Sequence, residues 1–114
     1  MEAINRSGVE IARSAFGSRP GHVLGDIGPF GGLLKPFGTV TPEEAQAAFG
    51  QQAGVLVAAG VDGIIIETQT SLEELGLAIE AARGAGAACI IGSLAFDITS
   101  NGRDARTMMG VTPE

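Results

Sequence analysis

The amino-acid sequence predicts an α/β fold built on a parallel sheet, and three observations carry that expectation. Segments of helical periodicity alternate with short β-rich runs, two of the helices open on Thr- or Ser-led capping sequences, and the central run, Gly63-Ile64-Ile65-Ile66, is β-branched with no polar alternation. A strand of that composition is buried on both faces, as parallel strands are when crossover helices cover the sheet. The order helix, strand, helix, strand, helix, strand then predicts βαβ units with right-handed connections.

Residues 2–16 place Ile4, Ile11, Ala12, Ala15 and Phe16 near one helical face, with Gly17 as the stop. The run His22-Val23-Leu24-Gly25-Asp26-Ile27-Gly28 reads as a short strand ending in the glycine-rich turn Gly28-Pro29-Phe30-Gly31-Gly32, and residues 33–40 read as irregular. Thr41-Pro42-Glu43-Glu44 is the strongest helix start, with Thr41 as N-cap, Pro42 at the first helical position and Glu44 at the capping-box position. Ala45, Ala48, Phe49, Gln52, Val55, Leu56 and Ala59 then recur at helical spacing until Gly60 closes the helix. Residues 61–68 form the second strand. Ser71-Leu72-Glu73-Glu74 reads as a second capping box, opening a helix through about residue 83, and residues 88–96 form the third strand. No hairpin signal such as Asn-Gly is expected to separate two strands.

The 114 residues carry 13 acids against 7 bases, a net charge of −6 with no basic cluster, which argues against a nucleic-acid or anionic-membrane partner and leaves small molecules or proteins. The single cysteine, Cys89, cannot close an internal disulfide; it begins a strand of buried type and is read as a core residue. The first residues lack a basic start and an apolar signal core, so the cytoplasm is the expected location. The apolar run at 54–61 is far shorter than the ~20 residues of a membrane span. Thr112-Pro113-Glu114 repeats Thr41-Pro42-Glu43 as if to open another helix, and three parallel strands want neighbours on both edges. The expectation is a piece of a larger α/β domain.

In parallel α/β folds, ligands sit beyond the carboxyl ends of the strands. Three such ends occur, at Asp26-Ile27-Gly28-Pro29, Glu67-Thr68-Gln69-Thr70 and Ser93-Leu94-Ala95-Phe96-Asp97. Glu67 is the leading candidate, because a buried strand delivers its carboxylate to the lip of the sheet, where it can meet a cationic ligand without crossing the core. An acid at such a place also serves often enough only to pair with a nearby Lys or Arg, or to cap the next helix. The glycines at 25, 28, 31 and 32 do not have dinucleotide-binding spacing. His22 stands alone, Met108 and Met109 read as packing, and no Ser-His-Asp or Cys-His set can be assembled.

The chain resembles the homocysteine S-methyltransferases, over residues 23–114. The resemblance is carried by VLGDIGPFGGLL, by TPEEAQAAFGQQAGVLVAAGVDGIIIET and by SLAFD; the stretch from Gly60-Val61-Asp62 to Glu67-Thr68 is its most specific part. It implies a partial (β/α)8 barrel of about three βα units, strands three to five of eight, with residues 1–114 an internal fragment of a homocysteine-binding barrel domain. Barrels of that kind need about 250 residues. In such proteins homocysteine binds at the carboxyl-end mouth, and a zinc ion held by three cysteines keeps its sulfur as a thiolate that attacks an activated methyl group to form methionine. The resemblance assigns Glu67 to the substrate's amino group, and Thr68, Asp26, Gly28, Pro29, Ser93 and Phe96 to the pocket around it. It carries no zinc ligand onto this chain: the family's cysteines follow the sixth and eighth strands, beyond Glu114, and the first strand with its Asp-Gly-Gly is also lacking. The fragment alone is therefore expected to be inactive and its full-length parent an enzyme. The methyl source, whether cobalamin, methyltetrahydrofolate or another donor, and a cobalamin-bearing partner domain are left open.

Two other expectations compete. One is a non-catalytic half-barrel remnant or interaction module, self-associating through its sheet edges. The other is a different barrel enzyme acting on another substrate.

Overall fold

The computed structural model describes residues 1–114. Helix α1 spans Glu2–Phe16, strand β1 Leu24–Ile27, helix α2 Pro42–Ala58, strand β2 Gly63–Gln69, helix α3 Leu72–Gly84 and strand β3 Ile90–Leu94; two short strands, β4 (Asp97–Ile98) and β5 (Ala105–Arg106), follow. The sheet order is β1-β2-β3, all parallel, with Leu24 opposite Gly63, Asp26 opposite Ile65, and Ile65 opposite Ile91. The predicted mixed α/β architecture with a parallel three-stranded sheet is therefore present.

Helix α2 starts as its sequence dictates. Thr41 accepts the Glu44 N–H on its side chain, and the Glu44 carboxylate accepts the Thr41 N–H at 2.8 Å. The Thr41 backbone N–H, and after it the Thr41 side chain, hold the Glu44 carboxyl below its usual range. Beyond the helix Gly60 takes φ 86, the left-handed geometry that a side chain resists. The buried face of α2 is Ala45, Phe49, Ala53 and Leu56; that of α3 is Glu74, Ala78, Ala81 and Ala82, where the alanines let the helices sit close over the sheet. Fully burying an Ile such as Ile64 or Ile66 beneath them contributes about 1.5–3 kcal/mol.

Three glycines reveal which face is which. A Cβ added to Gly25 would lie 2.9 Å from Cδ1 of Leu56 on α2, and one on Gly92 would lie 3.3 Å from Leu75 and Ile79 on α3. A Cβ on Gly63 would instead meet Cys89 and Leu24, at 3.0 and 3.2 Å. Since side chains alternate along a strand, Ile27, Ile64 and Ile66 face the helices while Leu24, Asp26, Ile65, Glu67, Ile91 and Ser93 face the other way. That second face is left open, and Leu24 and Ile91 on it are more than two-fifths exposed, at 43% and 42%.

Several expectations are corrected. Cys89 is exposed, because the strand it precedes is the outer one and its side chain lies on the open face beside Gly63. For the same reason β3 is not buried on both faces, and β2 is not fully so either: Ile64 and Ile66 are buried under the helices, but Ile65, on the open face, is only half-buried. In α1, Ile4 and Ile11 are exposed, at 78% and 70%; the helix docks through Val9, with Ala12 and Phe16 packed beside it, since only α2 and the β1 edge are there to receive it. The Ser71 capping box is half formed: Ser71 accepts the Glu74 N–H, but the Glu74 carboxylate turns to the Phe30 N–H instead. An antiparallel ribbon, β4 with β5, also appears, around the hairpin signal Asn101-Gly102 that sequence reasoning did not use.

Candidate functional site at the carboxyl ends of the strands

Strand β2 does not run evenly to its end. Ile66 pairs with Gly92 but Gln69 pairs with Leu94, so one extra residue has entered β2, and Thr68 within the interruption has φ 58. A β-branched residue in the left-handed region is a costly conformation that surrounding contacts have to enforce. Its effect is to re-aim side chains, as bulges near binding sites do. Glu67 and Thr68 both stay exposed, while Gln69, which regular alternation would place on the same face as Glu67, turns inward and is fully buried. Neither polar atom of the Gln69 amide has a hydrogen-bond partner within the chain.

The Glu67 carboxylate takes part in no ion pair; the ion pairs present are Arg6 with Glu2, and Arg13 and His22 with Asp62. The cap of the following helix is Ser71, so Glu67 does not serve there either. Both ordinary structural roles for an acid at this place are thus unfilled. Asp26 lies on the same open face, in the register row of Ile65 and Ile91, two residues short of Glu67 along the neighbouring strand. Its own side chain has no ion-pair partner, so two carboxylates face outward without a cation to balance them, an arrangement attractive to a ligand ammonium. Ser93 is exposed on the same face of β3.

Gly28 and Pro29 follow β1 and Phe96 follows β3, all exposed. These seven residues share an end of the sheet, and Asp26, Glu67 and Ser93 share a face, but no single cavity gathers them. Pro29 lines a groove of about 260 Å³ with Gly31, Gly32, Leu33, Thr70, Glu74 and Met108 on the helix side of the rim. Asp26 borders a groove of about 200 Å³ between β1 and α1.

Sequence reasoning missed what fastens this rim. Glu74 Oε1 accepts the Phe30 N–H at 2.6 Å, tying the first turn of α3 to the loop after β1. Thr107 Oγ1 donates to the Thr70 carbonyl at 2.6 Å, tying the segment after β5 to the loop after β2. The signal for Glu74 was present as a capping acid, but which N–H it would satisfy was not; for Thr107 no local signal exists, its partner being 37 residues away.

No group of three or more His, Cys, Asp or Glu side chains converges as metal ligands, and no helix is long and apolar enough to cross a membrane. The parallel three-stranded sheet with helices over one face makes the chain a mixed α/β protein, and its acidic strand ends lie where ligands sit in such folds. The model of the homocysteine S-methyltransferase family matches residues 1–114, and the chain belongs to that family, whose activity is methyl transfer of the homocysteine S-methyltransferase type. No individual curated protein matches it.

Proposed function

We propose that this chain contributes the homocysteine-holding arc of a (β/α)8 barrel, β1 to β3 being its third to fifth strands, in a protein that methylates homocysteine to methionine. Membership of the family supports the substrate, and the unpartnered, outward Glu67 carboxylate is the observation that carries the site assignment. In this reading Glu67 accepts hydrogen bonds from the substrate ammonium, a charge-assisted contact stronger than a neutral one. Asp26 adds negative potential below it, Ser93 offers a hydroxyl across the bulge, Thr68, Gly28 and Pro29 shape the wall, and Phe96 supplies an apolar edge. Holding the amino-acid end orients the sulfur for in-line attack on a methyl group, which raises its effective concentration.

Zinc does not fit this chain's own residues. Cys89 is the only thiol, lies just before the amino end of β3 rather than at its carboxyl end, and has no second soft ligand beside it. Activation of the homocysteine thiol is accordingly assigned to no residue here; zinc is assigned to the complete protein, and the methyl source, whether cobalamin, methyltetrahydrofolate or another donor, is assigned to no group of this chain.

The test is calorimetric titration of homocysteine into the complete gene product and its Glu67→Gln variant. Loss of one charged hydrogen bond, about 1.5–3 kcal/mol, weakens binding by roughly ten- to a hundredfold. An unchanged Kd removes Glu67 from the site.

A further inference from the structure

The chain buries three polar or charged side chains, Gln69, Glu74 and Thr107, and all three stand at or behind the rim that displays Glu67. Thr107 is the most fully engaged. Its hydroxyl donates to the Thr70 carbonyl at 2.6 Å and accepts the Val111 N–H at 3.1 Å, and its own N–H donates to the Val111 carbonyl at 2.9 Å. The last two bonds close residues 107–111 into a turn; the first fixes that turn to a carbonyl three residues past Glu67.

The neighbouring carbonyl, of Gln69, is held by the Ala95 N–H at 2.8 Å. The bulged segment is therefore pinned at Gln69 and Thr70 by two consecutive carbonyls, each bonded to the chain that follows β3. Between those pins and the regular part of β2 lies Thr68, whose φ of 58 persists only while its surroundings over-determine it. Removing one pin lets the strained residue relax, and the residue beside it is Glu67. The ribbon of β4 and β5 has only two residues in each strand, too few to hold itself in place, and the Thr107 hydroxyl gives it its side-chain hydrogen bond to the rim, beside Met108, which lines the rim groove.

We infer that Thr107 is a positioning residue for substrate binding, acting through the Thr70 carbonyl on the bulge that presents Glu67; this rests on the homocysteine reading of Glu67 given above. The test uses the complete gene product, with Thr107→Val, which removes the hydroxyl at nearly constant shape, and Thr107→Ser, which keeps it. Homocysteine Kd is read by calorimetry, and amide exchange is read across residues 67–70. The Val variant weakens homocysteine about tenfold and speeds exchange at 67–70, the scale of one lost hydrogen bond. The Ser variant stays within about twofold of the parent, and in a Glu67→Gln background the Val substitution adds nothing further, because both act on one interaction.

Three results overturn the inference: a folded Val variant with unaltered Kd, a Ser variant weakened as much as the Val variant, or additive losses in the double variant. If the Val variant fails to fold, Thr107→Ala, which also removes the hydroxyl, is read in its place against the Ser variant. If Glu67→Gln alone leaves Kd unaltered, the homocysteine reading itself fails; if Glu67→Gln weakens binding while Thr107→Val does not, only the positioning role is lost.

Discussion

Arg13 donates from Nη1 to Asp62 Oδ2 at 2.9 Å, joining α1 to the residue that leads into β2 across 49 positions of sequence. The same carboxylate oxygen accepts the Val23 N–H at 2.7 Å, and Arg13 Nη2 reaches the Gly60 carbonyl. The amino ends of β1 and β2 and the helix α1 are thereby held at one point, opposite to the rim that carries Glu67. The Val23 N–H, and after it the Arg13 guanidinium, hold the Asp62 carboxyl below its usual range, with His22 Nδ1 at 3.9 Å as a further neighbour. A depressed folded-state value stabilises the fold above the unfolded carboxyl value, near 4, and that contribution is lost as pH falls through the lower folded value. Asp62→Asn is expected to be less stable at neutral pH and to lose stability less steeply below about pH 4. Urea unfolding at a series of pH values checks it; parallel acid limbs in parent and variant would refute the link.

Glu74 and Phe30 give the second expectation. Glu74→Ala leaves the Phe30 N–H without its acceptor and empties a buried position, at a cost of about 2 kcal/mol, whereas Glu74→Gln retains an acceptor oxygen and most of the stability. The difference is read as a shift in urea midpoint at constant m-value. Equal midpoints for the two variants would mean that the hydrogen bond contributes nothing.

Thr68 offers the opposite sign. Thr68→Gly removes a β-branched side chain from φ 58, so relief of strain outweighs the added unfolded-state entropy and stability rises by up to about 1 kcal/mol. Homocysteine affinity falls in the same variant, because the Thr68 side chain that shapes the pocket wall is gone. A thermal melt paired with a homocysteine titration tests both signs, and a variant that melts lower than the parent would show that the left-handed geometry is not strained in the protein.

What the sequence made legible was local. Thr41 with Glu44, Gly60 at the end of α2, and the β2 strand itself each follow from propensity and periodicity within a few residues, and the structure agrees with them, though it buries Ile64 and Ile66 and leaves Ile65 half-buried. What it hid depended on register and distance. Alternation along β2 predicts Gln69 beside Glu67; the bulge reverses it, and nothing in Glu67-Thr68-Gln69 announces an inserted residue. Glu74 had a nearby N–H to satisfy in principle and satisfies a remote one, since the loop after β1 comes close enough to compete. The candidate site was legible as three strand ends, but the fastening by Thr107 required the tertiary return of the chain.

The open sheet supplies the last expectation. Strands β1 and β3 each have one neighbour, so each presents a row of unpaired backbone groups, and both point the same way along the sheet. Leu24 and Ile91 add exposed apolar surface to the face away from the helices. Parallel edges of this kind template further strands, and burying a partly exposed Leu or Ile adds to the drive. The 114-residue chain prepared alone is accordingly expected to associate, and a Leu24→Lys, Ile91→Lys double variant to shift it toward monomer, since charges on the open face oppose stacking and edge pairing at once. Light scattering across a concentration series decides it: a parent chain that stays monomeric at ~100 μM, within the range where exposed edges drive association, would show that its edges are protected in a way the sheet itself does not reveal.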